Sequence, residues 1–339
     1  MSSNRNWRFL LSWEGLLTFI VILVVLINIR LSPFFLHGDN LINLFGVSIE
    51  KIIVALVMTF IIINGEIDLS IASIMGLAAS LAAWLTEHGM DFSLALVCSL
   101  LAGVVCGAIN GFFVAYLEMP SLVVTLAGLI AYRGVARILL EDRSFTGIPP
   151  WYNDLGTQPI LGQFPLSLLI FFALFVIAFI ILHFSAFGRL VYVIGNNKDA
   201  ALMSGVRVRR VKMTLFIASG IISALAGLLY VSRLGAVQAS IAEGFELDII
   251  TIVLLGGVSI FGGTGTMVGV GLSILLILSL RNGMSLASVT GNTQSSIIGL
   301  ILILSVLIPN LAQQANQAWK RRGYLSRPKE APISKEGTL

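Results

Sequence analysis

"EGLLTFIVILVVLINI", residues 14–29, is the stretch whose reading decides the fold. After Glu14 it carries no charge, and its only polar side chains are Thr18 and Asn28. A helix of ~20 residues crosses a hydrocarbon layer of ~30 Å, and a run of this length and polarity reads as a membrane span. It is too long for the apolar region of a typical signal peptide and lacks a small-x-small cleavage site before the next polar turn. An uncleaved first span is the reading that fits.

Working outward, apolar runs recur at 10–29, 44–63, 69–86, 92–117, 121–140, 165–183, 211–232, 246–261, 266–281 and 293–310. Of the 339 residues 57% are hydrophobic and 11% charged, and the mean hydropathy is +0.96. Little chain remains for a soluble domain. The expectation is an all-α polytopic membrane protein of about ten transmembrane helices. The run at 246–261 is short and leads into "GGVSIFGGTGT" (256–266), so a broken or re-entrant helix is expected near 246–266. The organisation expected is a short cytoplasmic N-terminus (1–9), a transmembrane domain (10–310) with a basic loop at 184–212, and a basic cytoplasmic tail (311–339).

Loop charge sets the orientation. The 184–212 loop holds Arg189, Lys198, Arg207, Arg209, Arg210 and Lys212 against Asp199 alone. The tail holds Lys320, Arg321, Arg322, Arg327, Lys329 and Lys335. The 141–164 connection holds Arg143 against Glu141, Asp142 and Asp154. With ten spans, both termini and the 184–212 loop fall in the cytoplasm and 141–164 falls outside; Arg133 and Arg137 run against the rule. The net charge of +4 thus sits at a membrane surface, and nucleic acid is not an expected partner.

Catalytic and metal chemistry find no support. Cys98 and Cys106 lie ~12 Å apart along one helix, too far for a disulfide. His37, His88 and His183 have no metal-ligand spacing, and no nucleophile stands with a base. Gly103, Gly107 and Gly111, and likewise Ser219, Ser223 and Gly227, repeat every fourth residue, a pattern for close helix packing in lipid.

The basic loop contains "DAALMSG", Asp199 to Gly205, the order D-A-A-x-x-x-G. A protein partner on the cytoplasmic side needs a place to dock. A short surface helix can supply the dock: alanines let it seat, a glycine ends it, and an acid complements its N-terminus. A basic loop merely held at anionic headgroups is the bland alternative. The stretch resembles the coupling loop of permease subunits in ABC importers, where the pattern is E-A-A-x-x-x-G. Further blocks narrow the resemblance to the carbohydrate permeases serving ribose, xylose, galactose, rhamnose and autoinducer-2: "NGEIDLSIASIMGLAA" (64–79), "GAINGFFVAYLEMPSLVVTLAGLIAYRG" (107–134), "FGRLVYVIGNNKDAALMSGVRV" (187–208) and "FELDIITIVLLGGVSIFGGTGTMVGVGLS" (245–273). Glu66 departs from the usual glycine, and "IAS" at 71–73 from the usual "VGS".

The resemblance implies ATPase coupling through Asp199, Ala200, Ala201, Gly205, Arg207, Arg209 and Arg210. It implies a bacterial inner-membrane protein with a cytoplasmic ATP-binding cassette partner, an extracytoplasmic sugar-binding protein and a second permease subunit, identical or homologous. ATP and magnesium would sit on the ATPase, with no cofactor in this chain. Asp68 and Ser70, at the junction of spans two and three, cap the third span or line the path. Gly262 and Gly263 lie in the matching interruption of the second half, and paired interruptions point to a central site. The glycine-rich run has no following Gly-Lys-Ser/Thr, so it is not a phosphate loop. Asn110, Arg133 and Asn292 offer a sugar hydrogen bonds. Trp151 and Tyr152, in the 141–164 connection, are the expected docking residues for the binding protein, or interfacial anchors. An ion-gradient-driven transporter is the competing reading, disfavoured because the middles of the spans are nearly free of acids.

Overall fold

The computed structural model describes residues 12–141, 143–301, 303–304 and 307; the segments 1–9 and 311–339 and the far end of the 293–310 run lie outside them. In order, the helices are α1 (Trp13–Leu31), α2 (Gly38–Gly46), α3 (Ile49–Ile63), α4 (Ile71–Glu87), α5 (Phe92–Ala115), α6 (Ser121–Leu140), α7 (Pro150–Thr157), α8 (Leu166–Phe184), α9 (Ala186–Asn196), α10 (Lys198–Met203), α11 (Val208–Leu234), α12 (Phe245–Leu255) and α13 (Met267–Leu286). A further helix runs over 291–301. A small antiparallel hairpin, β1 (Pro159–Leu161) with β2 (Phe164–Pro165), joins α7 to α8.

Side chains at the boundaries start these helices where the apolar runs begin. Ser12 accepts from the Gly15 amide, Asp91 from Ser93 and Leu94, and Thr266 from Gly269, each satisfying amides that have no partner in a first turn. α3 is apolar on every side, and all its residues but Lys51 are buried, which places it at the centre. α11, α12 and α8 pack around it. The outer faces of α1, α5, α6 and α8 expose Leu, Ile, Val and Phe, the surface a lipid environment selects.

Both small-residue stripes pack closely, as spacing predicts, but against different neighbours. A Cβ added at Gly103 would lie 2.6 Å from the Gly220 carbonyl, one at Gly107 2.3 Å from that of Phe216, and one at Gly220 2.1 Å from that of Gly103. α5 and α11 thus touch backbone to backbone. Gly227 presses likewise on Met75 of α4.

Among the described residues, α1, α5, α6, α8, α11 and α13 are long and apolar enough to cross a membrane; α2 and α3, bent by 55°, add a seventh if they form one span. The all-α polytopic membrane architecture stands, but helix length does not give ten spans. The run at 69–86 folds as a 17-residue helix, and the run at 246–261 stops at Leu255 after 11 helical residues, about 16 Å. Irregular chain with four glycines at positive φ (Gly257, Gly262, Gly263 and Gly265) then leads to α13.

Two ends are well defined. At one end lie the 64–70 and 256–266 turns, the α5–α6 turn and α9–α10, joined by bonds such as Gly263 N–H to the Ile63 carbonyl (2.8 Å) and Lys198 to Glu118 (3.1 Å). At the other lie the 141–165 connection and the α11–α12 connection, joined by Arg143–Glu87 (3.2 Å) and by the paired backbones of Phe145 and Val237.

Candidate coupling site and translocation path

α10 is six residues long and is built from its caps. The Asn197 side chain accepts from the Ala200 amide at 2.9 Å. Asp199 adds an acid to the first turn, where it complements the helix dipole. At the far end the Gly205 amide bonds to Leu202 (3.0 Å) and the Val206 amide to Ala201 (3.1 Å). This closure needs a left-handed residue, and Gly205 has φ +80°. The two alanines do different work. Ala201 is fully buried in the chain's own core, whereas Asp199, Ala200, Leu202 and Gly205 are exposed and Met203 is 91% exposed.

Beside α10 a cleft of about 510 Å³ is lined by Tyr116, Glu118, Lys198, Leu202, Arg207, Arg209, Arg210 and Lys212 among others. Glu118 accepts from Lys198 at 3.1 Å and stands 3.6 Å from Arg209. The Lys198 ammonium, with Arg209 behind it, holds the Glu118 carboxyl below the usual carboxylate range. Lys212, nearly buried, forms an ion pair with Glu66. The acid that departs from the family's glycine is therefore matched by a base on α11.

The 64–70 and 256–266 interruptions come together. Gly65, Gly195, Gly262 and Gly263 form a knot of bare backbone: a Cβ at Gly195 would lie 1.8 Å from the Ile63 carbonyl, and one at Gly262 2.9 Å from the Gly65 Cα. The Tyr192 hydroxyl donates to the Gly265 carbonyl at 2.7 Å.

Asp68, Ser70 and Asn110 also converge, in the interior. Asp68 accepts from the Ser70 amide (2.9 Å), the Ser70 hydroxyl (2.6 Å) and the Ser219 hydroxyl (2.7 Å). Asn110 donates to Ser70 Oγ (2.8 Å) and accepts from Tyr132 (2.9 Å). Asp68, Ser70 and Asn110 are each at most 1% exposed in the single chain. Such a network ties α4, α5, α6 and α11 into one arrangement, since a buried polar group must find its partners inside. Arg133, on α6, is buried closer to the other end and donates to Ser73 Oγ (3.3 Å). Asn292 is exposed on the helix at 291–301 and joins neither group. Trp151 is half exposed, whereas Tyr152 turns inward: its hydroxyl donates to the Leu228 carbonyl (2.8 Å) and its ring packs on Phe92.

Sequence pattern did not disclose a charged group at the opposite end. Glu50, fully buried, accepts both Nε (2.8 Å) and Nη2 (3.2 Å) of Arg233. Asp248 accepts from Lys51 (2.5 Å) and Arg281 (2.8 Å). The available signal was an acid and a base, Glu50 and Lys51, inside an otherwise apolar run.

The geometry is that of a membrane bundle with a projecting helix at one end, and comparison with known proteins defines its class. Residues 40–306 match the family described as branched-chain amino acid transport system / permease component. The chain belongs to this family. It is a permease subunit of an ABC importer, a multi-pass inner-membrane protein and not an enzyme; ATP hydrolysis lies in a partner subunit. Among its relatives is the ribose import permease protein RbsC of Bacillus subtilis, 36% identical over 289 residues, covering 85% of this chain and 89% of the relative. RbsC of Escherichia coli K12 is 31% identical over 300 residues, covering 87% and 93%. The autoinducer 2 import system permease protein LsrD of Escherichia coli HS is 33% identical over 278 residues, covering 80% and 84%. No solved structure matches the chain.

Proposed function

We propose that this chain forms half of the translocation path of a binding-protein-dependent importer for a monosaccharide or a related small polyol-like solute. Its relatives named for ribose and autoinducer 2 support the solute class. A second permease subunit, identical or homologous, completes the path. The bundle holds ten membrane segments: the six long helices, the α2–α3 pair, α4, the half-length α12 and the helix beginning at 291. Alternation of the two ends along the chain supports that count, and the basic residues of 184–212 support a cytoplasmic α10 end, with both termini on the same side.

The observation that carries the coupling assignment is the outward face of α10. Leu202 and Met203 project from a capped helix, and among the described residues nothing lies within 4 Å of a Cβ placed at Gly205. A membrane-surface helix with exposed apolar side chains and open space at its terminating glycine is shaped for a protein partner, here the ATP-binding cassette subunit. Asp199, Ala200, Gly205, Arg207, Arg209 and Arg210 form the contact; Ala201 holds the helix to the bundle. Mild solubilisation of the membrane should recover the ATPase with this chain. Recovery of the permease alone, under conditions that keep its relatives' complexes intact, would count against the assignment.

At the outer end Trp151 is the docking residue for the sugar-loaded binding protein, and Tyr152 supports it from within. Trp151→Ala is expected to raise the binding-protein concentration for half-maximal ATPase stimulation roughly tenfold, the loss of ~1–2 kcal/mol typical of an aromatic interface anchor. The maximum rate should stay unchanged. Tyr152→Ala should lower thermal stability instead, because it removes the bond to Leu228. An unchanged concentration dependence for Trp151→Ala would take this side chain out of the docking surface.

A further inference from the structure

The connection between α11 and α12 does not stay at the outer surface. A Cβ on Gly76 would lie 3.4 Å from the Ile241 carbonyl and 3.6 Å from that of Ala239. Gly76 is eleven residues before Glu87 along α4, about 16 Å below the outer end where Glu87 meets Arg143. The connection leaves the outer end at Val237, which pairs with Phe145, and runs as non-helical chain to membrane depth beside Gly76, with Ala242 (φ +63°) and Gly244 (φ +83°) in left-handed turns. One side of this chain is sealed: Val237, Ala239, Ile241 and Ala242 are buried. The other side exposes Gln238, Ser240 and Glu243. Among the described residues neither Gln238 nor Ser240 finds a side-chain partner.

The surroundings are polar too. Glu243 lies 3.6 Å from Arg133 and 4.0 Å from Arg137 on α6, and its side chain is 57% exposed. Arg133 Nη1 and Glu246 Oε2 are both buried without a hydrogen-bond partner. Lipid cannot cover such a face. Irregular backbone and ionised groups persist at membrane depth only against protein or a wet cavity.

We propose that residues 236–244 dip into the membrane as a re-entrant segment and line the solute path with Gln238, Ser240 and Glu243, opposite Arg133 and Arg137. Amide, hydroxyl, carboxylate and guanidinium groups together donate to and accept from the hydroxyls of an uncharged, hydroxyl-rich solute. The inference rests on the permease reading and deepens it, because it names a stretch of path that the glycine turns at the other end do not supply.

The test uses the whole importer in membranes, with Cys98 and Cys106 replaced by alanine. Gln238→Cys and Ser240→Cys are treated from outside with a charged, membrane-impermeant methanethiosulfonate, beside Ile180→Cys on the apolar outer face of α8 as a lipid-facing control. Modification at 238 and 240 should be at least about tenfold faster than at 180, since hydrocarbon excludes a charged reagent. Rates no faster than at 180, or unreactive thiols that cross-link spontaneously between copies, would overturn the path and make the segment buried or a subunit contact. ATP turnover stimulated by the binding protein is read separately. Unreactive thiols with intact turnover overturn the path alone, whereas absence of a copurifying ATPase overturns the coupling reading and leaves the thiol rates to decide the path.

Discussion

Gly205→Asp should leave the chain folded in the membrane and abolish transport. A Cβ at position 205 meets none of the described residues within 4 Å, so the internal cost is that of placing a non-glycine residue at φ +80°, about 1 kcal/mol, with Asp among the residues that tolerate it best. The main effect falls on the partner. A carboxylate pressed into a protein groove loses its water, which costs more than the ~2 kcal/mol of an unpaired neutral group, and association should weaken at least about tenfold. Gly205→Asn shares the backbone tolerance without the charge and should be milder. The rival, a loop held at anionic headgroups, predicts the reverse order. There Arg207→Gln/Arg209→Gln/Arg210→Gln would be damaging and Gly205→Asp nearly silent. Membrane insertion, ATPase retention and transport, measured on all three variants, separate the two; normal transport by Gly205→Asp would end the coupling assignment.

Gly195→Ala, ten residues earlier, should have the opposite character and remove the protein itself. Its Cβ would fall 1.8 Å from the Ile63 carbonyl and 2.7 Å from the Gly263 amide, the two groups that bond each other at 2.8 Å. No side chain is there to rotate away. Either the bond breaks, leaving two backbone groups unpaired, or the ends of α3 and α9 and the 256–266 turn separate. Losses above ~4 kcal/mol come from overpacking and broken buried bonds of this kind, against a total stability of about 5–15 kcal/mol. The expected outcome is near-complete loss of folded protein on size-exclusion in detergent. Gly134→Ala, on α6 with none of the described residues within 4 Å, is the matched control and should accumulate normally. Equal accumulation of the two variants would show that the loops do not meet as closely as described.

The class of the fold was legible in the apolar runs, because a membrane imposes one length and one polarity on whatever crosses it. The spacing of Gly103, Gly107 and Gly111 announced close packing, and α11 supplies the opposing Gly220. The extent of the spans was not legible. Hydropathy sums side chains and does not see that Leu255 ends a helix while the apolar pattern continues through Ile260 and Phe261. At α10 the motif marked both alanines, yet a sequence pattern cannot say that Ala201 faces inward while Met203 faces out. Trp151 and Tyr152, adjacent and chemically alike, divide in the same way. The contacts that separate in sequence but meet in space, Glu50 with Arg233 and Glu66 with Lys212, were illegible because each charge alone resembles an ordinary end-of-span residue.

The glycine knot also has a mechanical consequence. Contacts made through side chains are compliant, because rotamers absorb small shifts before the backbone feels them. Where Gly65, Gly195, Gly262 and Gly263 meet, that cushion is missing. The ends of α3 and α9 and the turn before α13 behave as parts of one stiff hub, with the helices as its levers. A torque applied at α10, one residue beyond α9, reaches those levers with little lost motion, so the stroke of the bundle is set by the geometry of the hub rather than by slack within it.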